Sequence, residues 1–183
     1  MSESGRIPAE CNREGYLIVD VKLQLSDSII KNLNRAMAWW EIEHVRSAPK
    51  IYVSSRYPKD FANIDSFGPD AKEKLRGMWD SGEKAVILLA NIQILHPRIL
   101  VSLLFHELGH CLMGHNTTRN KLPTMREEKE AERIAVKDYI KYFGKNAIVP
   151  QDPRLGGSFY RSLGLRKAQP HTLEKKASSN LVR

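Results

Sequence analysis

The chain has 183 residues, enough for one domain of ordinary size and too few for two full cores. Hydrophobic residues make up 42% and charged residues 27%, a balance that excludes wholesale disorder. The net charge of +8 is concentrated near one end, where residues 151–183 carry seven Lys and Arg side chains against Asp152 and Glu174. The two cysteines, Cys11 and Cys111, are too few for a disulfide framework and form no CxxC pair for a thiolate zinc site. No apolar stretch of signal-peptide length opens the sequence, and no run approaches the roughly 18 apolar residues of a membrane span. These features predict a cytoplasmic protein that does not engage a membrane.

In chain order, residues 1–15 read as a flexible N-terminus. Tyr16 to Leu25 is rich in strand-formers and reads as a strand. Ser26 and Asp27 then supply cap side chains for a helix through about Arg46, with Ile30, Leu33, Met37 and Trp40 on its buried face. Pro49 breaks that helix, and IYVSS from Ile51 reads as a second strand. Arg56 to Pro69 reads as a long loop, followed by a helix from Asp70 to Trp79 that ends at the turn Asp80-Ser81-Gly82. The run AVILLANI, Ala85 to Ile92, is predicted as a strand and as the sheet edge that an extended peptide would join. Pro97 suits a first helical position, and Gly114 a C-terminal cap, for a helix between them. Another helix is predicted from Thr124 to Phe143, stopped by Gly144. Residues 151–183 read as a largely disordered basic tail. The fold class is therefore α+β, with one compact domain over residues 16–150 and a small sheet.

Within the Pro97 helix, SLLFHELGHCLMGHN sets two histidines and a glutamate in an apolar run, where an unpaired polar group costs a few kcal/mol. His106 and His110 are four apart, so their rings differ by about 40° around the helix axis and can converge on one point. That is the bite a tetrahedral Zn²⁺ accepts from one helix. Glu107 is rotated by roughly 100° from His106, within reach of a water at the metal without being a ligand.

A catalytic zinc requires a third protein ligand. His115, nine residues after His106, is one candidate, with Met125 imitating the methionine turn of the long HExxHxxGxxH motif; that motif sets both its glycine and its third histidine one position differently. The other candidate is Glu128. With Glu127 at 0° and about 100° per residue, the apolar residues from Ala131 to Phe143 centre near about 110°. Glu128 falls at about 100° and Glu132 at about 140°, whereas Glu130 falls at about 300°, on the solvent side. A carboxylate on a buried face needs a partner, and a zinc ion from the neighbouring helix is the one available, which favours Glu128. Glu132 would accept a hydrogen bond from the free ring nitrogen of a ligand histidine, or pair with Arg126 or Arg133. Lys129, Arg133, Lys137 and Lys141 form a basic line on the solvated face.

HELGHCLMGH followed by EKEAERIA resembles the gluzincin metallopeptidases, and in particular the ImmA/IrrE-like proteins, over roughly Ala85 to Phe143. The resemblance implies a compact zincin-like domain, zinc held by His106, His110 and Glu128, and Glu107 as general base. Such proteins often cleave or regulate DNA-binding repressors, and some carry a helix-turn-helix; none is evident in this chain, so that substrate does not transfer and the expected substrate is an intracellular protein. The expected function is a zinc metalloendopeptidase in which zinc activates water and Glu107 takes its proton. Tyr139, Tyr142 and His115 are candidate donors to the oxyanion. The alternative is a non-catalytic regulatory protein that keeps this scaffold and contacts protein or nucleic acid weakly through its basic tail.

Overall fold

A computed structural model describes residues 11–57, 76–118 and 121–147. The expected tail, most of the expected loop after Arg56 and the start of the expected helix after Asp70 lie outside the described residues. The described residues form an α+β arrangement of a mixed five-stranded sheet and three α-helices. No helix among them is long and apolar enough to cross a membrane.

The sheet order is β1 (Cys11–Glu14), β2 (Leu17–Asp20), β3 (Lys50–Ser54), β5 (Ala85–Leu89), β4 (Gly77–Asp80). The three central strands β2, β3 and β5 are parallel, and the edge strands β1 and β4 run antiparallel to their neighbours. β1 occupies part of the N-terminus expected to be flexible. Gly15, at φ 65°, turns the chain back into β2, a conformation that glycine adopts at little cost. The strand expected to reach Leu25 ends instead at Asp20, whose carboxylate accepts from the Lys22 N–H (2.9 Å) and the Ser55 hydroxyl (2.6 Å) and so turns the chain.

Two further expectations are corrected. Gly77 to Trp79 is strand β4 and not the end of a helix. Successive residues there face opposite sides, Trp79 packing into the main core and Met78 joining Ile87 and Leu89 in a separate cluster, which is a period of two. Asp80 Oδ1 then accepts from the N–H groups of Gly82 and Glu83, forming the turn into β5. β5 itself stops at Leu89, where a 3₁₀ turn (Ala90–Ile94) begins, and it is an interior strand. Its unbroken apolar run reflects burial on both faces, so the edge strand on this side is β4.

The helices are α1 (Asp27–His44), α2 (Pro97–Met113) and α3 (Met125–Phe143). Ser26 caps α1, Pro97 opens α2, Gly114 closes α2 at φ 68°, and Thr124 and Glu127 form a reciprocal capping box on α3. Helix α2 is buried almost all round, from Ile99 to Phe105 and again at Leu108, because it lies between the sheet, α1 and α3. Trp39, Phe105 and Tyr142 stack at the meeting of the three helices, with ring centroids 5.4–5.6 Å apart.

Helices α2 and α3 approach closely at Gly109. A Cβ built there would lie 2.7 Å from the Ala131 carbonyl oxygen and 3.1 Å from its Cα. The obstacle is backbone, so it cannot be relieved by a rotamer change. Gly109→Ala is expected to destabilise the fold by about 1–3 kcal/mol, read as a lower denaturation midpoint in urea at unchanged slope.

Candidate metal centre

The α2 register sets His106 and His110 one turn apart, and their Nε2 atoms face each other at 3.3 Å. The first turn of α3 brings in Glu128, with Oε2 3.2 Å from His106 Nε2 and Oε1 3.6 Å from His110 Nε2. One donor atom from each of the three lies within 4.8 Å of the others. Atoms bound at about 2.0–2.1 Å to one tetrahedral ion sit about 3.3–3.4 Å apart. The histidine pair and the contact of Glu128 Oε2 with His106 are near that edge length, the contact with His110 is made by the other carboxylate oxygen, and two imidazoles plus one carboxylate form a donor set suited to zinc, so the residues present fit the ion. Glu128 is 41% exposed while His110 is buried, so the group opens on one side only.

The electrostatics of the cluster are those of donors held against one another. Burial and the neighbouring charge of His106 push His110 down to about 4, leaving it a neutral imidazole at neutral pH. Burial opposes charge on His106 as well, but its bond to Glu128 and the charges of Glu107, Glu128 and Glu132 raise its pKa on balance. Burial likewise works against ionised Glu128, yet the bond to His106 and the nearby histidines hold it below the ordinary carboxylate range. Glu107 is only 6% exposed, and burial pushes it up to about 7, against the lowering effects of His106 and of a hydrogen bond from the Trp79 N–H.

These side chains line a cleft of about 230 Å³. One wall is Gly77, Met78 and Trp79 of β4; the other is the connection from α2 to α3, through Thr117, Thr118, Lys121, Leu122 and Pro123. Part of the β4 edge is already occupied. The Thr117 hydroxyl donates to the Trp79 carbonyl (2.8 Å), and the Ser81 N–H donates to the Thr117 carbonyl (2.8 Å). Gly77 is thus the cleft-facing residue of β4 that Thr117 leaves uncovered.

Several residues singled out from the sequence lie elsewhere. His115 does not join the donor group: it sits behind His110, Nδ1 to Nδ1 at 2.8 Å, with its Nε2 3.3 Å from Glu130 Oε2. Glu130 is therefore not simply solvent-facing, and Arg126 pairs with it at 2.9 Å. The helical phase expected from the sequence is off because Ile140, counted as apolar face, is 49% exposed. The residues of α3 that are buried, Ala131, Ala135, Asp138 and Tyr139, centre about 65° from Glu127, which leaves Glu128 and Glu130 flanking the contact with α2. Met125 is 73% exposed and forms no floor to the site. Tyr139 is buried against Phe143 and Arg98, and Tyr142 packs on Trp39 and Phe105, so neither lines the cleft. The signal for His115 is Gly114: a left-handed cap lets the His115 N–H return to the His110 carbonyl at 3.0 Å, setting the second ring edge-on behind the first.

Zinc content of purified protein should fall from about one per chain to near zero in His106→Ala and in Glu128→Ala, while Lys129→Ala, on the other face of α3, keeps the metal; inductively coupled plasma mass spectrometry reads all three. No protein-family model, curated protein or solved structure matches this chain.

Proposed function

We propose that this chain is a zinc-dependent metallopeptidase of the gluzincin type, resembling the ImmA/IrrE-like proteins, that hydrolyses peptide bonds of a protein substrate. The observation that carries the reading is the coincidence, in one cleft, of two imidazoles and a carboxylate whose donor atoms lie within 4.8 Å of one another, with a buried glutamate beside them. A zincin-like architecture is supported by the order of elements, in which the HExxH helix lies under an antiparallel edge strand and is followed by the helix that carries the third donor.

His106, His110 and Glu128 would hold the zinc. When bound, it supplies a Lewis acid that polarises a carbonyl and acidifies water in the cleft. Glu107 is the proton carrier: the Trp79 N–H steadies its carboxylate, and burial keeps its proton affinity close to neutrality, where a base can both accept and return a proton. The proton passes from the attacking water to a Glu107 oxygen and from there to the leaving amine. Gly77, at the uncovered end of β4, would pair with the backbone of an extended substrate, the mode in which a sheet edge binds peptide. Thr118 and Lys121, both lining the cleft, would serve as donors to the developing oxyanion.

Glu107→Gln is expected to retain zinc and to lose about 10²- to 10⁴-fold in hydrolysis. The measurement is cleavage of a diverse peptide library by zinc-loaded protein, read by mass spectrometry, with a chelator-treated control. Cleavage at equal rate by the Glu107→Gln variant, or none by the zinc-loaded wild type at any library position, would overturn the reading.

A further inference from the structure

The donor group rests on a second layer that the proposed chemistry leaves unexplained. His115 is only 6% exposed and uses both ring nitrogens: Nδ1 lies 2.8 Å from His110 Nδ1, and Nε2 lies 3.3 Å from Glu130 Oε2. Glu130 in turn accepts from Arg126 Nε at 2.9 Å through its other oxygen. The Trp79 indole N–H donates to the His115 carbonyl at 3.1 Å, so the backbone that carries this ring is tied to β4.

Two facing imidazole nitrogens form a hydrogen bond only if one bears hydrogen and the other does not. Resting on the reading of His106, His110 and Glu128 as metal ligands, we propose that His115 and Glu130 are positioning residues that fix the tautomer and ring orientation of His110. His110 presents Nε2 to the donor group, so that atom must be free of hydrogen for a metal and Nδ1 must carry it. His110 Nδ1–H then donates to His115 Nδ1. That leaves the hydrogen of His115 on Nε2, where the carboxylate of Glu130 accepts it. Arg126 balances the charge of Glu130 at the exposed end. Each hydrogen in the row has one place, and the direction of the first bond follows from the charge at the last. Partners of this kind keep a ligand ring from rotating and raise its basicity, and their removal commonly costs about 10- to 100-fold in metal affinity. His115 lies beyond the C-cap of α2 and Glu130 lies on α3, so the row also binds the two ligand helices behind the site.

The test uses the full chain and Zn²⁺ alone, titrated in competition with a chromophoric chelator, with the visible spectrum of Co²⁺-loaded protein as a second readout. Metal-free thermal midpoints check that each variant folds. His115→Phe is expected to bind one metal about 10- to 100-fold more weakly, with a Co²⁺ spectrum that keeps the wild-type ligand number. His115→Gln, which offers an acceptor and a donor in similar places, should recover most of that loss. Glu130→Ala should weaken binding in the same direction, and adding it to His115→Phe should cost little more, because both act through one row. Wild-type affinity in His115→Phe, equal losses in the Phe and Gln variants, full additivity with Glu130→Ala, or a Co²⁺ spectrum showing a lost ligand would each overturn the inference. A wild-type chain that binds no zinc would overturn the metallopeptidase reading and the inference with it, whereas zinc-binding wild type with unaffected variants overturns the inference alone.

Discussion

Helix α3 can reach the histidines of α2 because the two backbones meet at Gly109 with no side chain between them. The Ala131 carbonyl fills the space where a Cβ would stand, and this contact sets the distance from which Glu128 approaches His106 and His110. A long side chain can bridge a gap by changing rotamer, but a carboxylate that reaches two imidazoles at once has little play. A glycine opposite an alanine makes the spacing a property of the backbone. The glycine of HELGH therefore has a packing function independent of the polar residues on either side of it.

The same contact explains how so much polarity is tolerated in an apolar helix. Phe105, Leu104 and Leu108 surround His106 and Glu107 in sequence and are fully buried, so along α2 the two histidines find only each other. The partners arrive from three other elements: Glu128 and Glu130 from α3, His115 from the turn after Gly114, and the Trp79 N–H from β4. Opposed shifts of neighbouring groups follow from this crowding. His110 is pushed down and His106 up, and Glu107 is raised while Glu128 is lowered, a separation of proton affinities that dispersed surface groups do not develop.

The cleft over these groups has a closed end and an open one. Thr117 bonds to Trp79 of β4 and to Ser81 just beyond it, and so covers one end of the strand's outer edge. The cover protects an edge that would otherwise present unpaired backbone groups. The turn that delivers Thr117 also delivers His115, so the shape of the cleft and the support behind His110 come from one short segment after α2.

The sequence by itself determined what depends on local periodicity and short-range caps. Helices α1, α2 and α3 were legible within a few residues, since Ser26, Pro97, Gly114 and Thr124 mark their ends through backbone hydrogen bonding that needs no distant partner. The pairing of His106 with His110, and the place of Glu107 beside them, follow from 3.6 residues per turn. Tertiary structure alone decided the rest. Met78 and Trp79 form a strand because β5 and two apolar clusters lie on either side, which overrides a local pattern too short to choose. β5 is interior, and β4 the edge, through pairings between segments distant in sequence. The face of α3 that meets α2 was set by Ala131 at its backbone contact with Gly109 and not by the larger apolar residues, of which Ile140 remains in solvent. Helical phase averages over side chains, whereas packing selects the few positions where two backbones can touch, and that selection placed His115 and Glu130 behind the site.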